Sequence, residues 1–296
     1  MTAVRVPGKV MLSGEYAVLS GGAAALLPAP RYLTLSDEGD LAFYELPGVL
    51  RDVLQHPVDE LKEYERAHPI KGVGMENRGF FAAGKSGKET LGIGLSSAEA
   101  AGAMLLRFSR AGFDLRERTD EIVRLAIEAH HASQGGLGSG ADVAACVYSS
   151  TILFTPGEDG PSIKNLRLNP ALNLSLLWTG VSSDTRGAVR KYKDWESTAG
   201  QRAKEFAEAA DELAPLWGQD DPGRLHAALD RFEMLRDEMA EEAGIQLKLP
   251  INRQVEQRAI ELGGRAKPVG AGGGDVILLI GEFPTGAFEG EVIPLT

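Results

Sequence analysis

The sequence predicts a mixed α/β (α+β) chain in two parts, and three observations predict it. Short apolar runs broken by glycine open the chain, the pattern of strands joined by turns. Stretches of helical period follow in both halves. A turn cluster, TPGEDGPS over 155–162, then restarts the pattern and sets a boundary near 160–170. There is no internal repeat and no low-complexity linker.

Residues 3–20 read as strand and turn, and 31–45 as a pair of strands around a turn. Residues 47–69, charged with spaced apolar positions, read as one short helix. SSAEAAGAMLLRFSRAGF, from Ser96 to Phe113, reads as an alanine-rich helix opening on serine caps. A second helix, about 118–133, carries Ile122, Leu125, Ile127 and His130 at helical spacing. Residues 142–154 read as strand. Beyond the turn cluster, a strand at 173–179 leads to helices near 184–197, 198–215 and 221–243. A last helix at 250–262 precedes a glycine-rich turn and the strand Val276–Ile280.

Composition limits the function classes. At 296 residues, 43% hydrophobic and 25% charged, the chain has the make-up of a folded globular protein. No apolar run approaches the roughly 18–20 residues that span a bilayer, so no membrane is expected. The start, MTAVRVPGKV, has no secretory pattern, and a cytoplasmic setting is expected. The single cysteine, Cys146, lies in an apolar run and reads as a core residue. A net charge of −11 argues against nucleic acid as the main partner. It leaves room for a small anionic ligand, which needs only a local positive pocket.

Glycine-bearing segments carry the chemistry. In Val6-Pro-Gly-Lys-Val-Met-Leu-Ser-Gly-Glu-Tyr-Ala-Val-Leu19, Lys9 follows a glycine that lets backbone approach a ligand. A rigidly held cation there suits a phosphoryl oxygen where charge builds; a surface lysine beside a turn is the plainer account. In Leu91-Gly-Ile-Gly-Leu-Ser-Ser-Ala-Glu-Ala100, glycines run into a helix start, where free N–H groups and the helix dipole favour an anion. Serine hydroxyls and Glu99 there suit Mg²⁺, or simply a helix cap. Lys267-Pro-Val-Gly-Ala-Gly-Gly-Gly-Asp-Val276 is rich enough in glycine to wrap an anionic group, although a tight turn also fits. In Ser133-Gln-Gly-Gly-Leu-Gly-Ser-Gly-Ala-Asp-Val-Ala144, Asp142 suits metal binding, orientation of Lys9 or proton acceptance, or the capping of its own turn. Gly79-Phe-Phe-Ala-Ala-Gly-Lys-Ser86 spells the P-loop pattern. The glycines after Lys85 argue against the helix that a P-loop needs, so a hairpin turn is expected.

In order, these segments resemble the three signatures of the GHMP kinases, across essentially the whole chain. Pro7–Tyr16 resembles the PGK…GE signature, Gly92–Ala100 the GLGSSAA phosphate loop, and Lys267–Asp275 the GAGGG signature. The details resemble the phosphomevalonate kinase branch: Gly270–Asp275 ends in aspartate, Gln134 and Gly138–Ala145 resemble QG…GSGADVA, and Trp178–Thr185 resembles WTG-x-x-(A)ST. Two departures stand out: GIGLSSAEA replaces GLGSSAA, and Tyr148-Ser-Ser replaces tyrosine-glycine-glycine.

The resemblance implies a two-lobed GHMP kinase fold, lobes 1–165 and 166–296, with the active site in the cleft between them. It implies ATP with Mg²⁺, a small anionic acceptor, no nucleic acid, and a monomer or homodimer. Gly92, Gly94, Leu95, Ser96 and Ser97 would bind the nucleotide, and Lys9 and Asp142 would be catalytic. Ser96, Ser97 or Glu99 would hold the metal. Lys9, Ser139, Gly140, Ser182, Ser183, Thr185, Arg186, Gly270, Ala271, Gly272 and Gly273 would face the acceptor, with Lys267 a further candidate. The bland reading of 182–186 is a helix cap and a solvated basic face. His130 and His131 read as a helix end. Phosphorylation of phosphomevalonate is expected; the alternatives are another GHMP kinase, acting on mevalonate or a polyol, and a non-catalytic binding protein of the same fold.

Overall fold

The structure is a computed structural model that describes residues 1–82 and 89–296. The end of the P-loop look-alike, including Lys85 and Ser86, lies outside the described residues. The chain forms two compact units with interleaved boundaries. One comprises Met1–Lys9, Pro28–Phe80 and Gly94–Ser150; the other comprises Val10–Leu27, Phe81–Ile93 and Thr151–Thr296. Strands β1 (Ala3–Ser13) and β2 (Ala24–Leu41) each contribute residues to both.

In the first unit, helices α1 (Gly48–Gln55) and α2 (Lys62–Ala67) precede strand β3 (Val73–Glu76), and α3 (Leu95–Arg110), α4 (Thr119–Ser133) and α5 (Ala141–Tyr148) follow. The pair of strands expected within 31–45 is one long strand, β2, which over this stretch pairs with β3: Thr34 faces Glu76 and Leu35 faces Met75. Local alternation marks a strand but not its partner. The single helix expected over 47–69 is two, separated by Pro57 and a short 3-10 turn at Asp59–Leu61.

Helix α3 is the centre of this unit and packs on α1, α4 and α5. Its alanines at 98, 100, 101 and 103 are fully buried, and small side chains let neighbouring helices close in. Gly102 lets α3 lie on strand β2, since a Cβ there would stand 2.9 Å from Leu35 Cδ1. Buried Arg107 bonds Glu65 Oε1 at 2.7 Å and the Val53 carbonyl at 2.9 Å, tying α2 and α1 to α3. The strand expected over 142–154 is helix α5 followed by β4 (Ile152–Thr155). A short apolar run fits a buried helix as well as a strand, and packing decided the matter.

In the second unit, β4 pairs with the first residues of β2 and with β5 (Ser162–Asn165). There follow β6 (Leu174–Trp178), α6 (Thr185–Ala199), α7 (Gln201–Leu213), α8 (Pro222–Ala243) and α9 (Pro250–Glu261). Strands β7 (Arg265–Pro268), β8 (Val276–Ile280) and β9 (Val292–Pro294) complete an antiparallel sheet of order β7-β8-β6-β9. β8 is buried along its whole length, which explains its unbroken VILLI run. α8 begins where Asp221 accepts the Arg224 N–H and Pro222 fills the first turn, and it ends at left-handed Gly244. No helix among the described residues is long and apolar enough to cross a membrane.

Candidate active site

In the first unit, β1 delivers Lys9 and the start of α5 delivers Asp142. Lys9 is 7% exposed, and its Nζ stands 3.0 Å from Asp142 Oδ2. The other oxygen, Oδ1, is buried and meets no hydrogen-bond partner among the described residues. Gly140 takes the left-handed conformation (φ 83°) that turns the chain into α5, and a Cβ there would strike Ile127. Ser139 Oγ accepts the Ala141 N–H at 3.2 Å, so this serine helps to open the helix.

Gly94 begins α3 in the left-handed region (φ 81°), and a Cβ there would stand 2.7 Å from Lys9 Cε. Only glycine lets the α3 turn pass so close to the lysine stem. The serine caps expected for this helix are not what opens it: Gly94 holds the cap position with no side-chain bond. Leu95, Ser96 and Ser97 instead form the first turn, whose N–H groups have no partner within the helix. Ser96 is partly exposed, whereas Ser97 and Glu99 are buried. Burial pushes the Glu99 carboxyl up to about 7. His130 and His131 close α4, and burial pulls His131 below the usual histidine range.

In the second unit, three distant segments meet at Asp275. A Cβ on Gly92 would collide with the Asp275 carboxyl group. That carboxylate accepts from Ser183 Oγ, and from the Ser183 N–H at 3.3 Å. Its own N–H donates to the Val181 carbonyl at 2.6 Å, and Thr179 Oγ1 donates to its carbonyl at 2.8 Å. Asp275 has a left-handed backbone (φ 55°), rare outside glycine. Ser182, Thr185 and Arg186 are exposed around this point, and Thr185 opens α6 behind the Asp184 cap.

The glycine turn 270–274 is partly a packing requirement, which the sequence did not separate from ligand binding. Cβ atoms on Gly272 and Gly273 would each come within 2.6 Å of the Leu247 and Gln246 carbonyls, and one on Gly274 within 2.7 Å of the Val181 carbonyl. The Gly272 N–H donates to Val269 O at 3.3 Å, and the Gly273 N–H to Leu247 O at 2.8 Å.

Lys267, a candidate ligand residue by sequence, is instead internal. At 2% exposed it pairs with Glu15, stands 3.6 Å from Glu233 and donates to the Leu12 carbonyl at 3.3 Å. Arg236, fully buried, completes the cluster: it lies 3.2 Å from Glu233 and 3.7 Å from Glu15. Burial opposes the charge on Glu233, but Arg236, Lys267 and Lys248 outweigh it and hold the carboxyl below its usual range. Tyr16 donates its hydroxyl to the Ala271 carbonyl at 2.6 Å. Burial pushes this phenol up to about 12, so it remains a donor. Glu15, Tyr16 and Asp275 sat inside the recognised motifs without an assigned role; Arg236 had no signal beyond a helix position.

No protein-family profile matches the chain. Two curated relatives do, both phosphomevalonate kinases. The one from Streptomyces sp. (strain CL190) is 26% identical, over 91% of this chain and 87% of its own length. That from Saccharolobus solfataricus is 27% identical, over 95% and 91%. Among solved structures, Streptococcus pneumoniae phosphomevalonate kinase in complex with phosphomevalonate and AMPPNP superposes with a TM-score of 0.77 at 16% identity, covering 96% of this chain and 93% of that one. L. major mevalonate kinase in complex with R-mevalonate gives 0.64 at 16% identity, covering 96% and 88%. The chain has the GHMP kinase fold, and its similarity to these relatives along nearly all of its length supports a phosphotransferase.

Proposed function

We propose that this kinase transfers the γ-phosphoryl group of ATP to the phosphate of phosphomevalonate, giving diphosphomevalonate and ADP. The observation that carries the proposal is the Lys9–Asp142 contact of 3.0 Å beside the glycine that opens α3. The bond from the γ-phosphorus to the bridging oxygen of ADP breaks, and a new one forms to an acceptor phosphate oxygen. Such transfer depends chiefly on positioning and charge stabilisation. Gly92, Gly94, Leu95, Ser96 and Ser97 receive the ATP phosphates at the α3 N-terminus. Lys9 stabilises charge on the transferring group.

Asp142 acts by orientation. A phosphate monoester has a second pKa of about 6, so the acceptor is already mostly ionised at neutral pH and needs little help from a base. The carboxylate fixes the Lys9 ammonium and leaves its second oxygen for the site. Ser96, partly exposed in the first turn of α3, and Glu99, three residues on, are the candidates to hold a metal. Mg²⁺ held there would supply charge neutralisation at phosphate oxygens. In the first unit Ser139 and Gly140, and in the second Ser182, Ser183, Thr185, Arg186 and Gly270–Gly273, are the candidates for acceptor contact. The WTG-like segment and the terminal Asp275, both features of the phosphomevalonate kinase branch, support this choice over mevalonate. ADP release measured with phosphomevalonate and mevalonate side by side tests it: faster turnover of phosphomevalonate is expected, and faster turnover of mevalonate overturns it.

A further inference from the structure

We infer that Arg236 is a positioning residue for the acceptor side of the site, aiming the Ala271 N–H outward as an anion donor. The inference rests on the acceptor role proposed above for the glycine turn. Arg236 does not itself face a ligand: its side chain is fully buried. Its Nη1 donates to the Pro268 carbonyl at 2.9 Å and its Nη2 to the Gly270 carbonyl at 3.0 Å. These two bonds grip the start of the glycine turn from inside.

The consequence follows from peptide geometry. In a trans peptide the C=O and the next N–H point in opposite directions, and no described peptide bond is cis. Turning the Gly270 carbonyl inward onto Arg236 therefore turns the Ala271 N–H away from the ion cluster. The neighbouring Gly272, Gly273 and Asp275 N–H groups are taken by the Val269, Leu247 and Val181 carbonyls. The Ala271 N–H meets no acceptor among the described residues, and Ala271 is partly exposed. An oriented amide after a left-handed glycine, Gly270 (φ 64°), is the kind of donor that phosphate or carboxylate oxygens use.

The rest of the cluster holds Arg236 in place. Glu15 and Glu233 balance Arg236 and Lys267, so a buried guanidinium is tolerated without a net charge in the core. An arginine is required because its planar fork reaches two carbonyls at once, which a lysine ammonium on a single stem does not do equally. Glu15 belongs to the same N-terminal segment as Tyr16, which pins the next carbonyl, Ala271.

The test is R236K, which keeps the charge and removes the fork. Expected is a 10- to 100-fold fall in kcat/KM for phosphomevalonate with the KM for ATP within about twofold of wild type. Equal losses toward both substrates, or no loss, overturn the inference. In ¹⁵N-labelled protein, the Ala271 amide signal should move on titration with inorganic pyrophosphate in the wild type and stay still in R236K. Movement in both, or in neither, also overturns it. This second readout needs no turnover, so a wild type inactive on every acceptor would sink the proposed function and leave the amide titration to decide this point. If R236K does not fold, E233Q removes one carboxylate brace and should give a smaller fall in the same direction; no fall overturns the inference.

Discussion

Gly94 and Lys9, one at a helix start and the other on a strand, approach so closely that a single methyl group on Gly94 would stand 2.7 Å from the lysine Cε. The turn that offers helix N–H groups and the side chain that offers a cation are thus one packed unit. Displacing either displaces the other.

Gly94→Ala should therefore damage stability and activity together. A non-glycine residue in the left-handed region costs about 1–2 kcal/mol. Pushing the Lys9 stem aside should lower kcat on the order of 10²-fold, since misplacement by about 1 Å has that effect. Thermal melts with steady-state kinetics check both. A variant that loses stability but keeps kcat would show that Lys9 tolerates displacement.

Lys9→Met should lower kcat by roughly 10²–10³-fold, the usual cost of losing one preorganised stabilising group. Asp142→Asn keeps the shape, loses the charge and should also lower kcat. Because Asp142 is proposed to orient and not to accept a proton, the acid limb of the pH–rate profile should survive in Asp142→Asn. Its clean disappearance would instead make Asp142 the general base.

Glu99 predicts a pH dependence of stability. Its folded pKa is raised from 4.5 to about 7 by burial, so the folded state favours the protonated form. A raised pKa contributes stability that is fully present below about 4.5 and lost as pH rises through about 7. At about 1.36 kcal/mol per pH unit, the loss is roughly 3 kcal/mol at most. Glu99→Gln should then be more stable than wild type at pH 8 without Mg²⁺, with little difference near pH 4.5. Added Mg²⁺ should narrow the gap at pH 8 by favouring the ionised form in wild type. Parallel denaturant titrations at the two pH values measure it, and equal stability of the two proteins at pH 8 would remove the prediction.

Much of this protein was legible in its residues because the information is local. Helical period is carried by neighbouring residues along the chain, and the second-half helices α6 to α9 lie within a few residues of the stretches that show it. The three glycine signatures likewise named Lys9, Gly92, Gly94 and the 270–274 turn, because a glycine that permits close approach leaves its mark wherever it occurs. Tertiary structure alone decided the partners. It paired β2 with β3, made 141–148 a helix, joined Lys9 to Asp142 and Gly92 to Asp275, and buried Lys267 against Glu15. Those contacts link residues far apart in sequence, and a residue's own chemistry does not say which distant group will neutralise its charge. Arg236 shows this most plainly: along the chain it is one more basic residue on a helix, and only the fold places two carbonyls of the glycine turn against its guanidinium.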